Sequence, residues 1–191
     1  MPRHRLLSAA IALYTLTAVA ACSHHQAPPA PHTLDFKLPD LSGTVHALSD
    51  YRGRWVLVNY WATWCQPCVD EIPELSAAAA EYGRADVVIL GIDYEDLAPD
   101  KLYDFIHRHH VGYAVLRTDI DAAQALGPVL GLPTTYLVSP RGRLVSTVLG
   151  PITRTGVEHL IDGEARRLGL QPPPIHPPRQ GELPWTSASA S

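Results

Sequence analysis

The chain has 191 residues, 46% of them hydrophobic, enough for about one domain with a full core and some appended sequence. Its formal net charge of -4 carries no basic excess, so there is no electrostatic case for a nucleic-acid partner. Three cysteines leave one odd thiol once two are paired, and each must be accounted for.

Met1 to Arg5 is a short basic segment, and Leu6 to Ala21 an apolar run that is brief for a spanning helix and right for a secretory signal. Residues 1–21 are therefore expected to be a signal peptide and the protein to be exported. The run ends in Val19-Ala20-Ala21-Cys22, which resembles the bacterial lipobox, so Cys22 is expected to become a lipid-bearing first residue anchored in a membrane. Acylation of Cys22 would leave the other two cysteines as a clean pair. An ordinary signal with an incidental cysteine and an uncleaved anchor are the alternatives. Residues 22–32 are polar and broken by proline, which makes a flexible tether, and His24, His25 and His32 are read as solvated linker residues.

Leu34 to Leu38 and Thr44 to Leu48 flank a proline-to-glycine turn and predict a small hairpin that covers a sheet edge. Trp55 to Trp61 reads as a strand buried on both faces. Val69, Ile72, Leu75, Ala78 and Ala79 then fall at helical spacing, with Pro73 kinking that helix and Gly83 stopping it after about Tyr82. Further on, the pattern predicts strands over Val87 to Ile92 and Ala114 to Leu116 around a helix from Pro99 to about His109. A short helix follows over Asp121 to Leu126, then a strand over Thr135 to Ser139, a return strand over Leu144 to Leu149 and a last helix from about Thr155 to Leu168. Strands alternating with helices imply a parallel component, hence a mixed sheet with helices on both faces. Residues 169–191 are rich in proline and poor in apolar residues and are expected to be a disordered tail, with Trp185 an anchor should the tail serve as a polyproline ligand.

Cys65 and Cys68 sit at the junction between the Trp55 strand and the helix after it, a redox or a metal arrangement. A zinc site needs four ligands, yet no cysteine follows Cys68, and a structural disulfide across so small a loop stabilises least. No metal and no cofactor are expected. At a helix N-terminus the free N–H groups and the dipole favour a thiolate, so Cys65 is the candidate nucleophile, with its sulfur exposed. Cys68, shielded one turn on, is placed to resolve the mixed disulfide.

The order of elements, with Leu132-Pro133-Thr134-Thr135 ahead of the last hairpin, resembles the thioredoxin fold over about residues 33–168. The wording from Val58 to Pro73 is similar to that of the TlpA/ResA-like branch, membrane-anchored thiol-disulfide oxidoreductases of the bacterial envelope that include the CcmG reductants. The resemblance implies a periplasm-facing reductant that takes electrons from a membrane donor protein and reduces exported partners, apocytochromes c among them. It implies that Pro133 is cis and faces the cysteine pair, and that Leu132, with Trp64 and Pro67, lines the partner groove. Asn59 stands where thioredoxin has a buried aspartate, and Glu71 matches the family's glutamate three residues after the second cysteine, the proton acceptor for Cys68; an exposed helix carboxylate is the alternative. Gly91 to Asp96 resembles the Gly-Val-Asn-Tyr-Lys-Asp wording of CcmG-like proteins, and its acids form a second candidate set. A thiol oxidant or isomerase of the same fold stays open. A copper carrier using Cys65, Cys68 and a histidine is the alternative from another class, although relatives that do this carry Cys-x-x-x-Cys. A peroxiredoxin-type peroxidase would want a proline and a threonine or serine where Val58 and Ala62 stand.

Overall fold

The computed structural model describes residues 35–117 and 126–176. The expected signal peptide, Cys22, the tether, all but the last residue of the expected short helix, and Trp185 lie outside those residues.

β3 (Trp55–Trp61) is the centre of the sheet, and all seven of its residues are buried. It runs parallel to β4 (Val87–Asp93) and antiparallel to β6 (Thr134–Val138). β5 (Ala114–Arg117) adds parallel to β4, and β7 (Leu144–Leu149) antiparallel to β6, giving the order β5-β4-β3-β6-β7. Ahead of this sheet, β1 (Lys37–Pro39) and β2 (Val45–Ala47) form the expected hairpin. Asp40 Oδ1 accepts from the backbone N–H groups of Ser42 and Thr44 at 2.8 and 3.0 Å, which closes the turn. A bridge from Asp40 to Leu116 places the hairpin at the β5 edge, covering it.

α1 (Gln66–Asp86) and α2 (Pro99–Arg108) connect β3 to β4 and β4 to β5, two crossovers that step the same way across the sheet. Parallel crossovers are right-handed, so both helices land on one face. α3 (Arg154–Arg167) joins them: Ile72, Leu75 and Ala78, Leu102 and Phe105, and Val157, Ile161 and Ala165 share one core with Leu57, Trp61 and Ile89. On the other face Val56, Val58, Tyr60, Leu90 and Ile92 pack under Phe36, Leu38 and Leu48 from the hairpin and the 3-10 helix Leu48–Tyr51. Among the described residues the three α-helices thus share a single face and the hairpin and 3-10 helix cover the other, while the expected helix over residues 121–126 falls almost entirely outside them.

α1 runs through Pro73 and breaks at Gly83, whose φ of 66° and ψ of 167° leave the helical region before a last turn to Asp86. The chain does not leave the domain at Gly169 as expected. Leu170 packs on the α-helical core, the His176 N–H donates to the Glu81 carbonyl at 2.6 Å, and its ring lies 3.6 Å from Asp86. The prolines between them suit an extended strap that needs few backbone donors.

Candidate active site

β3 delivers the chain to the open end of the sheet, where Cys65 caps α1 and Pro67 stands in its first turn, a position at which a missing N–H costs nothing. The Cys65 carbonyl accepts from the N–H groups of Cys68 and Val69 at 3.0 and 3.1 Å, so the helix starts directly on the nucleophile candidate. Cys65 and Cys68 are joined as a disulfide with their Cα atoms 5.3 Å apart. Cys68 is fully buried, while Cys65 keeps 6% of its surface, less than the open sulfur expected. Bonding to Cys68 turns Cys65 inward, and the flanking Gln66 and Pro67 take the solvent side. Trp64 stands out at 70% exposure beside it. The Leu132–Pro133 peptide is cis, as the resemblance implies; Pro133 is buried and Leu132 half-buried against both cores.

One turn below Cys68, Glu71 is 3% exposed, which rules out the solvated alternative. Its Oε1 accepts from Asn59 Nδ2 at 2.9 Å and its Oε2 from the Ile152 N–H at 2.9 Å, while Asn59 Nδ2 also donates to Thr135 Oγ1 at 3.0 Å. Glu71 thereby ties α1 to β3 and to the loop between β7 and α3, and the Gly150 N–H, bonded to the Pro133 carbonyl at 2.9 Å, connects that loop to the cis-proline. Burial pushes the Glu71 carboxyl up to about 7, against the pull of its two donors. Burial, with the Glu71 charge adding to it, likewise raises the Tyr113 phenol.

Asp93, at the end of β4, is 1% exposed and in register with Trp61. Burial first, then the neighbouring Glu95 charge, pushes it up to about 7, with Arg117 opposing. Glu95 is half-buried, its Oε1 accepting the Thr63 N–H just ahead of Cys65, and Asp96 is exposed. Of the second acid set, then, Asp93 and Glu95 belong to the site's surroundings and Asp96 to the surface. Sequence reasoning missed Thr135, Tyr113 and the Ile152 N–H; a backbone donor on a distant loop leaves no mark in composition or spacing.

A Cys-x-x-Cys disulfide at a helix N-terminus on a thioredoxin sheet defines a catalyst of thiol-disulfide exchange. The profile of the AhpC/TSA family matches residues 29–147. The chain is 32% identical over 133 residues to the thiol-disulfide oxidoreductase ResA of Geobacillus kaustophilus, covering 67% of this chain and 73% of that one. The solved DsbF homologue from Corynebacterium diphtheriae aligns with a TM-score of 0.63 at 26% identity, over 70% of this chain and 86% of the other. The pneumococcal exposed lipoprotein thioredoxin Etrx1 from Streptococcus pneumoniae aligns with a TM-score of 0.57 at 25% identity, over 64% and 94%. The chain belongs to the AhpC/TSA family and, within it, is a thiol-disulfide oxidoreductase of the ResA type.

Proposed function

We propose that this oxidoreductase works as a reductant of disulfides in exported proteins, cytochrome c maturation partners among them, held on the periplasm-facing side of a membrane by lipid on Cys22. The observation that carries the reading is the division between the cysteines: Cys65 caps α1 and keeps some exposure, while Cys68 is sealed above a buried carboxylate. The helix terminus favours the Cys65 thiolate, which attacks one sulfur of the partner disulfide and expels the other as a thiol once it takes up a proton. Cys68 then gives its proton to Glu71 and attacks the Cys65 sulfur. The bond to the partner breaks, the second partner thiol leaves, and the two electrons of the dithiol have passed to the partner. The product is the Cys65–Cys68 disulfide seen here, and a membrane dithiol donor would reduce it again. Trp64, Pro67, Leu132 and Pro133 form the partner groove in this reading, supported by the exposure of Trp64 and Pro67 and the cis peptide at Pro133. The signal-like N-terminus and the likeness to a lipoprotein thioredoxin support the anchor.

Trapping tests the mechanism. Cys68→Ser is expected to accumulate a mixed disulfide with its partner, which mass spectrometry can name, while Cys65→Ser forms none. Trapping by Cys65→Ser instead would reverse the roles. Intact-mass analysis of membrane-extracted protein checks the anchor, and an unmodified N-terminus at another residue would remove it.

A further inference from the structure

Asp93 plays no part in the exchange steps above, yet among the described residues it is the other deeply buried carboxylate on the face of the sheet that α1 covers. Its place follows from register: Asn59 pairs with Gly91 and Trp61 with Asp93 across β3 and β4, and alternation puts all four on the side of Leu57 and Ile89. Gly91 leaves the room above this row, since a Cβ there would lie 2.7 Å from Trp61 Nε1 and 2.8 Å from the Tyr113 ring. The end of β4 is laced to the segment entering the cysteine motif. The Tyr94 N–H donates to the Trp61 carbonyl at 2.8 Å, Thr63 N–H donates to Glu95, and the Cys65 N–H donates to the Ala62 carbonyl at 3.1 Å. Asp93 Oδ1 has no hydrogen-bond partner among the described residues. The charges facing it are Glu95 from the following loop and Arg117 from β5, and the Arg117 guanidinium is engaged with the Leu97 carbonyl at 3.3 Å.

We infer that the Asp93 carboxylate, at the end of β4 beside the segment that enters the cysteine motif, is a built-in negative charge that disfavours the Cys65 thiolate and so strengthens the protein as a reductant. The inference rests on the exchange reading of the cysteines and deepens it by assigning direction. It follows from like-charge repulsion in a poorly solvated site, where at an effective dielectric of about 20 even a unit charge on the order of 10 Å away changes an ionisation constant about tenfold. A dithiol whose thiolate is stabilised is a better oxidant, because its reduced form is favoured; a nearby anion acts in the opposite sense. Asp93 acts through the thiols and touches no reacting atom.

The test is the rate of iodoacetamide alkylation of the reduced full chain against pH, for the parent and for Asp93→Asn. The variant is expected to lower the Cys65 midpoint, with up to about tenfold more thiolate near pH 8. Its equilibrium with glutathione should move toward the oxidant side, about 30 mV for each tenfold change. The two alkylation profiles should converge below about pH 6, on the acid side of the raised Asp93 pKa. Coincident profiles and equal potentials would overturn the assignment. Should Asp93→Asn fail to fold, carbon-13 titration of the parent Asp93 carboxyl serves instead, since linkage requires its midpoint to differ between oxidised and reduced protein; equal midpoints would overturn it. Exchange that persists in Cys65→Ser would instead bring down the dithiol reading itself, so the two failures are distinguishable.

Discussion

The two faces of the sheet are packed by different rules. On the face away from α1, Val56, Val58, Tyr60, Leu90 and Ile92 belong to a cluster of apolar and aromatic side chains, with Tyr60 edge-on to Tyr94 and Tyr136 at 6.1 and 5.6 Å. On the α1 face the same two strands present Asn59 and Asp93, and Glu71 and both cysteines are buried on that side. Both carboxylates buried among the described residues are therefore on the side that carries the chemistry. An ionised carboxylate out of water costs stability, so the apolar face supplies cohesion that the α1 face partly gives up. Stability and reactivity should accordingly respond to substitutions on different sides of one sheet.

The largest expected effect is on the apolar face. Leu90→Ala removes a fully buried side chain and should cost about 2–5 kcal/mol in denaturant unfolding, while the alkylation midpoint of Cys65 stays where it is. A shifted midpoint would show that the faces are not separable.

The α1 face should announce itself in the pH dependence of stability. Glu71 and Asp93 titrate near 7 when folded and in the ordinary carboxylate range when unfolded, so between about pH 4 and 7 the native state holds more protons than the unfolded chain. Stability therefore falls as pH rises through that window and levels off above it, by a few kcal/mol at most for each group. Thermal melts of the oxidised protein that are flat or rise across this window would mean that the carboxylates are not held in this state.

A smaller and more specific effect is expected at Glu71. Glu71→Gln should slow exchange roughly tenfold or more above pH 7 and leave the rate nearly unchanged below about pH 6, where the parent carboxyl is already protonated. A uniform slowing across pH would make Glu71 a strut between α1, β3 and the β7–α3 loop, with no role in proton transfer.

What was legible in the residues was legible because it is local. The buried strand before Cys65, the helix after it, its break at Gly83 and the return strand Leu144–Leu149 each follow from periodicity and backbone preference within a few positions. Proline content misled at residues 170–176, because composition reports what a segment can bury by itself and takes no account of a neighbouring helix such as α1.

The amino-acid sequence by itself determined the order of elements and the position of Cys65 at a helix N-terminus, since hydrophobic period and turn chemistry act between near neighbours. Only the tertiary structure decided that the three described α-helices share a face, because the handedness of crossovers is a property of the assembled sheet. It also decided the state of the acids. Glu71 meets Asn59 across 12 residues and the Ile152 N–H across 81, and Asp93 owes its raised pKa to what surrounds it in space. Desolvation and charge act over a few ångströms in any direction, and a folded chain brings to those distances residues that its sequence keeps far apart.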